Sequence, residues 1–229
     1  MTPEVLASLL AVRKAGRAVV LATRLADGAQ VLLPDAAAPD GVAAAAAEAL
    51  RDDQSRAVAI GEDRWFLHVH APAHRLLVVG AVHIAQALAP MAALAGLAVT
   101  VIDPRRGFGS FERFPGVVLH HGWPDEALAE LAPDARTAVV TLSHDPKLDD
   151  PALDAALRSE GFFIGALGSR KTHAARLERL GALGHHAAAL ARLRGPVGLP
   201  IGAVTAPEIA LSVLAEIIAA RRGAPLGQR

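Results

Sequence analysis

The strongest constraint on this chain is the alternation of short apolar runs with helical stretches that begins at Arg75. The apolar runs are continuous in hydrophobicity, which is typical of strands buried on both faces. They span residues 76–79, 98–102, 117–119, 137–142 and 162–167. Strands separated by helices pair in parallel, and their crossovers are right-handed. The pattern therefore predicts an α/β fold with a doubly wound parallel sheet.

The helices between and after these strands are predicted from apolar periodicity and from end signals. They span residues 84–94, 125–131, 151–159, 172–180 and 187–194. Asp149 or Asp150 is the expected N-cap of the helix at 151–159. The last helix has the clearest start, because Thr205 and Glu208 have the spacing of a capping box.

This last helix also carries an apolar stripe that must be covered in the folded protein. The stripe consists of Ile209, Val213, Leu214, Ile217 and Ile218. We predict that it contributes to a homodimer interface, and packing on the protein's own sheet is the alternative.

Residues 1–72 follow a different pattern, which predicts a small α+β region. A helix capped by Thr2 and an alanine-rich helix at 42–50 are expected, together with two hairpins. Pro72 interrupts strand pairing, so the predicted domain boundary lies there. The second domain is expected to span residues 73–229.

Composition argues against several classes of function. The formal net charge is zero, whereas a general nucleic-acid binder carries a basic face for phosphates. No apolar run reaches the roughly 18 residues of a membrane helix, and the N-terminal residues are unlike a signal peptide. The chain has no cysteine, which excludes disulfides, thiolate metal sites and cysteine nucleophiles. We therefore expect a cytoplasmic protein with neither nucleic acid nor membrane as a partner.

The first strand of the sheet runs into Gly80, at the place where a Rossmann dinucleotide fold carries the motif G-x-G-x-x-G. Val82 replaces the second glycine, which normally lets the backbone approach a pyrophosphate, and Ala85 replaces the third. Asp103 ends the next strand, where a ribose-binding acid is expected, although it also suits a turn before Pro104. The predicted fold is Rossmann-like, and an NAD(P)- or flavin-dependent oxidoreductase is an alternative function.

Two later loops emerge at the same carboxyl edge of the sheet, where doubly wound folds bind ligands. One contains Ser143-His144-Asp145, and the other is Gly168-Ser169-Arg170-Lys171, directly before a helix. A helix start favours an anion, and Arg170 can hold a phosphate through two hydrogen bonds. A turn with a solvated basic pair is the alternative. The anion site is favoured, because the helix dipole disfavours cations at this end unless an anion is present.

The ten histidines do not have the spacing of metal ligands on one helix face, so no metal site is predicted. His83 and His144 are singled out, because both fall at the predicted ligand edge. Helix-start capping and loop hydrogen bonding are the alternative roles of these two residues. No catalytic acid–base pair is evident.

Several of these motifs, taken in order, resemble one family. Residues from about 65 to 223 resemble the XdhC-type xanthine dehydrogenase accessory proteins, also called the XdhC/CoxI family. The segments that carry the resemblance are PAHRLLVVG (72–80), VIDPR (101–105), ERFP (112–115), TLSHDPKLD (141–149), IGALGSR (164–170), GLPIGA (198–203) and PEIA (207–210).

The resemblance implies a protein that binds molybdenum cofactor or its dinucleotide form and delivers it to an apo molybdenum hydroxylase, without turnover of its own. It also implies that a cysteine desulfurase sulfurates the bound cofactor. The implied cofactor site has its phosphate end against Gly168, Ser169, Arg170 and Lys171. The opposite wall consists of Gly80, His83, Asp103 and Arg105, and His144 and Asp145 contact the pterin or metal end.

The chain departs from the family pattern in three ways. Val82 stands where the family has a glycine, which crowds the turn between strand and helix. The N-terminal region is short and lacks the segment with glycine and cysteine found in longer members. Because the chain has no cysteine, it cannot carry a persulfide, and sulfur would pass directly from the desulfurase to the cofactor. A third interpretation is an interaction protein in which Val82 has closed the ligand site.

Overall fold

The computed structural model describes residues 1–34 and 37–224, which form two compact units. The first unit spans Met1–Pro72, and the second begins at Ala73. Residues 225–229 of the predicted second domain lie outside the described residues. Each unit has its own apolar core.

The first unit is a four-stranded antiparallel sheet with one helix on each face, in the strand order β2-β1-β4-β3. Its elements are α1 (Pro3–Lys14), β1 (Val19–Arg24), β2 (Gln30–Leu33), α2 (Val42–Asp52), β3 (Arg56–Ile60) and β4 (Asp63–His70). Side chains alternate between the two faces of β1. Val19 and Leu21 therefore pack with Leu9 of α1, whereas Val20 packs with Ala46 of α2.

The second unit is a six-stranded parallel sheet with helices on both faces, which confirms the predicted doubly wound α/β fold. Its strands are β5 (His74–Val79), β6 (Leu97–Ile102), β7 (Val118–His120), β8 (Thr137–Thr141), β9 (Phe163–Ala166) and β10 (Leu193–Arg194). Its helices are α3 (His83–Leu94), α4 (Pro124–Leu131), α5 (Pro146–Arg158), α6 (Arg170–Ala182), α7 (Ala187–Leu190) and α8 (Ala206–Arg221). Helices α3 and α8 cover one face of the sheet, and α4, α5 and α6 cover the other.

The start of α5 differs from the prediction. The helix begins at Pro146, and Asp145 caps it by accepting the backbone N–H two residues further on at 3.0 Å. The expectation that Asp149 or Asp150 is the N-cap is therefore wrong. Proline is well suited to the first position of a helix, where its missing N–H has no partner to lose. Pro151, which suggested the later start, lies inside the helix instead.

The predicted helix at 187–194 is also wrong in its second half. Helix α7 ends at Leu190, and Leu193 and Arg194 pair in parallel with β9 as the sixth strand. The run of alanines favours a helix locally. Backbone pairing with the edge of the sheet overrides that preference where the alanines end.

The last helix begins as predicted. Thr205 Oγ1 accepts the N–H of Glu208, and the Glu208 carboxylate accepts the N–H of Thr205 at 2.8 Å. Its apolar stripe, centred on Val213 and Ile217, is buried in the same core as Leu76 and Val78 of β5. The stripe is therefore covered within its own unit and gives no support to a homodimer. Within residues 1–34 and 37–224, every helix is too short or too polar to span a lipid bilayer.

Candidate functional site

The sheet of the second unit has a topological switch point between β5 and β8, in the strand order β10-β9-β8-β5-β6-β7. The chain runs outward from β5 to β7 on one side, then crosses back to β8 and continues to β10 on the other. The loops after β5 and β8 therefore leave the sheet in opposite directions. In doubly wound folds, ligands bind in the crevice that such loops form at the carboxyl ends of the strands.

Gly80 and Ser143 bring these two loops into contact. The φ angle of Gly80 is +103°, and a Cβ atom there would lie 2.8 Å from the backbone nitrogen of Ser143. Any side chain would therefore have to displace backbone, and only glycine adopts this φ without strain. Gly80 is required for the close approach of the loops, whatever ligand lies above them.

Val82 occupies the position of the second motif glycine without backbone strain. Its φ and ψ angles are −91° and 174°, an extended conformation that valine readily adopts. Its half-buried side chain packs against the apolar core of the sheet. The difference from glycine at this turn is therefore one of ligand access rather than of chain geometry.

Asp103, at the end of β6, is buried and saturated by internal donors. Its Oδ2 accepts the N–H of Ala81 at 2.8 Å, which ties the glycine loop to β6. Its two oxygens also accept the N–H of Arg105 and the Nε and Nη2 groups of its guanidinium, at 2.8 to 2.9 Å. Burial pushes the pKa of Asp103 upward, but these hydrogen bonds outweigh it and hold the pKa below its usual value.

His121 also lies at this edge, although the sequence analysis did not select it. Its Nδ1 lies 3.4 Å from the backbone oxygen of Asp103, and its ring faces Gly109. The preceding His120 turns away and contacts Glu130 at 3.1 Å. The available signal was the position of His121 directly after a strand, at the carboxyl edge of the sheet.

The loop after β8 presents His144 in a strained conformation. His144 has a φ of +60° and an exposed side chain. Ser143 Oγ accepts the N–H of Asp145 at 3.1 Å and donates to Asp149 Oδ1 at 2.6 Å. Left-handed conformations of residues other than glycine persist where the surroundings enforce them, and they cluster at functional sites. The loop is thus built to hold His144 in place.

A buried ion pair lies behind this loop and was not found by sequence reasoning. Asp149 Oδ2 lies 3.5 Å from Arg176 Nη2, and the same nitrogen donates to the backbone oxygen of Leu167 at 3.0 Å. Burial raises the pKa of Asp149 against the opposing effects of Ser143 and Arg176. Burial likewise lowers the pKa of Arg176. The pair connects the loop after β8 with the loop after β9.

The start of α6 carries the other predicted cluster. Ser169 Oγ caps the helix by accepting the N–H of Thr172 at 3.1 Å. Gly168 has a φ of +144°, and a Cβ there would lie 3.2 Å from the Thr172 side chain. Arg170 and Lys171 are exposed, and within the described part of the chain neither side chain makes a hydrogen bond or ion pair. The alternative in which Arg170 braces a buried carboxylate is therefore absent from these contacts.

The predicted site residues therefore fall into connected groups along one edge. Direct contacts join the loops after β5, β6 and β8, and the buried ion pair reaches the loop after β9. His83 is the exposed first residue of α3, beside the glycine loop. Among the described residues, no group of three or more histidine or acidic side chains is arranged to hold a metal ion.

A parallel sheet in this strand order, with its ligand edge at the switch point, defines a Rossmann domain. The chain belongs to the XdhC family, because residues 76–217 match the family model described as the XdhC Rossmann domain. The match confirms the resemblance inferred from the sequence motifs.

Curated relatives support the same placement. The chain is 37% identical over 167 residues to the uncharacterized protein YqeB of Escherichia coli, covering 71% of this chain and 30% of that protein. It is 36% identical over 150 residues to the molybdenum cofactor insertion chaperone PaoD of the same organism, covering 66% and 41%. A Bacillus subtilis protein named as a probable xanthine dehydrogenase component is 34% identical over 158 residues, covering 69% and 46%. The chain thus spans less than half the length of each of these relatives.

Among solved structures, a protein described as a xanthine dehydrogenase from Bacillus halodurans superposes with a TM-score of 0.71. The superposition covers 96% of this chain and 67% of that one, at 23% sequence identity. At this identity the likeness shows a shared fold.

Proposed function

We propose that this chain binds molybdenum cofactor, or its dinucleotide form, and delivers it to a molybdenum hydroxylase of the xanthine dehydrogenase type. Family membership supports this, as does a relative named as a molybdenum cofactor insertion chaperone. The observation in this chain that carries the proposal is the pair Arg170 and Lys171. These exposed cations stand at a helix start, where the dipole disfavours them unless an anion is bound.

The residues at the start of α6 suit the phosphate of the cofactor. Capping by Ser169 engages the N–H groups of Thr172 and His173 and leaves the first two N–H groups of the helix without an intrahelical partner. Those two N–H groups belong to Arg170 and Lys171. Backbone donors, a forked guanidinium and a mobile ammonium together form a phosphate cradle.

The other wall of the crevice would orient the cargo. Gly80, His83 and Arg105 lie at the ends of β5 and β6, and His144 and Asp145 lie at the end of β8. The cofactor carries its metal on a dithiolene and supplies that chemistry to the client enzyme. The residues of this chain bind and orient it, and since they form an open edge, the cargo can be released.

Sulfuration, where it occurs, would use a partner desulfurase that acts directly on the bound cofactor. The chain has no cysteine to carry sulfur between the two. The rival function, an NAD(P)-dependent oxidoreductase, is disfavoured by Asp103, whose carboxylate is already saturated by internal donors.

Purification from cells that make the cofactor tests the proposal. Mass spectrometry of the released ligand should identify a pterin, and the loaded chain should restore activity to an apo-hydroxylase. The Arg170→Ala/Lys171→Ala double variant should copurify with much less pterin. Tight NAD binding together with no copurified pterin would overturn the proposal.

A further inference from the structure

We infer that the end of β6 is an anion-accepting subsite, in which Arg105 meets the ligand and Asp103 serves as its internal counter-ion. The inference rests on the proposed function in one respect, because it assigns the chemistry of one wall of the same crevice. It names the class of group that this wall accepts, which is a phosphate or another oxyanion rather than a sugar diol.

Asp103 has no acceptor capacity left for a ligand. An ionised carboxylate offers about four lone-pair sites. Four N–H groups occupy them, namely those of the Ala81 backbone, the Arg105 backbone and the Nε and Nη2 atoms of Arg105. The Asp103 side chain is 0% exposed. A ribose hydroxyl arriving at this strand end would therefore meet the guanidinium and not the acid.

Arg105 is fixed in place with one donor group left over. Two of its nitrogens are bound to Asp103, and its guanidinium stacks on the Phe108 ring with the central carbon 4.3 Å from the ring centre. Its Nη1 makes no hydrogen bond to the described residues, and its side chain is 37% exposed. A held guanidinium with a spare donor loses little freedom when it binds an oxyanion.

The crevice also reaches Arg105 electrostatically. Asp103 raises the pKa of Arg105 most strongly, and Asp145 and Asp149 of the β8 side contribute at longer range. Arg105 therefore lies close enough to the switch point to act on a ligand there.

The position of the subsite fits an elongated ligand. The ends of β6 and β9 are three strand spacings apart, which is about 14 Å. Arg105 stands at one of these ends, and Arg170 stands beyond the other. A ligand that reaches both is therefore anionic at both ends.

Two nucleotide probes that differ by one phosphate test this inference. In dinucleotide folds, the ribose 2′-hydroxyl lies at this strand end, and an arginine there accommodates a 2′-phosphate. Adenosine 2′,5′-bisphosphate should bind the wild-type chain at least about tenfold more tightly than 5′-AMP in calorimetric titrations. Arg105→Ala should abolish the preference, because it removes the donor and frees the Asp103 carboxylate for the hydroxyl.

Two further variants serve as controls. Arg106→Ala removes the same charge from the next residue, which is exposed and makes no ion pair in the described structure, and it should keep the preference. Arg105→Lys retains a cation beside Asp103 without the guanidinium fork. It should keep the fold and lose most of the preference, which covers the case in which the alanine variant does not fold.

Equal affinity for the two probes, no measurable binding of either at millimolar concentration, or a preference that survives in Arg105→Lys would overturn the inference. Its failure is distinguishable from failure of the proposed function. A chain that copurifies with pterin but shows no phosphate preference keeps the function and loses the subsite. A chain with the preference but without pterin keeps the subsite and loses the function.

Discussion

Asp149 and Arg176 form an ion pair that is almost completely buried, with 1% and 2% of their side chains exposed. The Nε and Nη1 atoms of Arg176 are buried and have no hydrogen-bond partner in the described part of the chain. A buried pair is strongly destabilised when one member is removed, because the other charge is left uncompensated. The pair therefore makes the loops at the ligand edge dependent on two residues that do not reach the surface.

Replacing one member of this pair should reduce stability markedly. We expect Arg176→Met to lower the free energy of unfolding by about 3 kcal/mol, because Asp149 is then buried without its partner. The double variant Arg176→Met/Asp149→Leu should recover a large part of this loss, since two apolar groups replace both charges. Denaturant unfolding measures both. A double variant no more stable than the single one would contradict the interpretation.

The backbone at His144 predicts an unusual order of stabilities. His144→Gly should be more stable than His144→Ala by about 1 kcal/mol, because glycine adopts the left-handed conformation without a Cβ penalty. Thermal unfolding of the two variants side by side gives the difference. Equal stabilities would mean that the loop relaxes to another conformation when the imidazole is removed.

Arg170 should contribute to binding and not to stability. Arg170→Ala is expected to weaken binding of the pterin cargo by about 1.5–3 kcal/mol, the range for a hydrogen bond to a charged group. Its melting temperature should stay unchanged, because the side chain makes no ion pair in the described structure. Arg51→Ala, which removes an exposed cation from α2 of the first unit, is the matched control and should leave binding unchanged. Unchanged affinity in Arg170→Ala would remove this loop from the site.

Asp103 should make stability depend on pH on the acid side. Its folded-state pKa lies below the unfolded value of about 3.9, so its contribution is present above that value and is lost as pH falls through the folded pKa. Asp103→Asn should cost about 2 kcal/mol at neutral pH and decline less steeply below about pH 4. Urea unfolding between neutral pH and the acid range checks this, with Glu160→Gln as the exposed control. Parallel pH profiles for wild type and Asp103→Asn would refute it.

The parts of the fold that sequence predicted well are those set by local chemistry. The capping box of Thr205 and Glu208 needs only residues three apart, and the strands of the parallel sheet are continuous apolar runs. The strand formed by Leu193 and Arg194 has no such local signal, because it exists only through pairing with β9.

The site shows the same division. The helix start at Arg170 was visible as a motif, since glycine, serine and two cations are adjacent in the chain. The partnership of Asp149 with Arg176 was not visible, because it depends on two helices packing side by side. The sequence likewise suggested Asp103 as a ligand acceptor. Only the folded chain brings the Ala81 N–H to the same carboxylate.

The contact between Gly80 and Ser143 also constrains how this chain can evolve. A methyl group at position 80 would meet the backbone at position 143, so neither loop can be altered without the other. These positions lie in opposite halves of the sheet, yet they should vary together among relatives. A homologue with a side chain in place of Gly80 should carry an insertion, a deletion or a shifted path in the loop after β8.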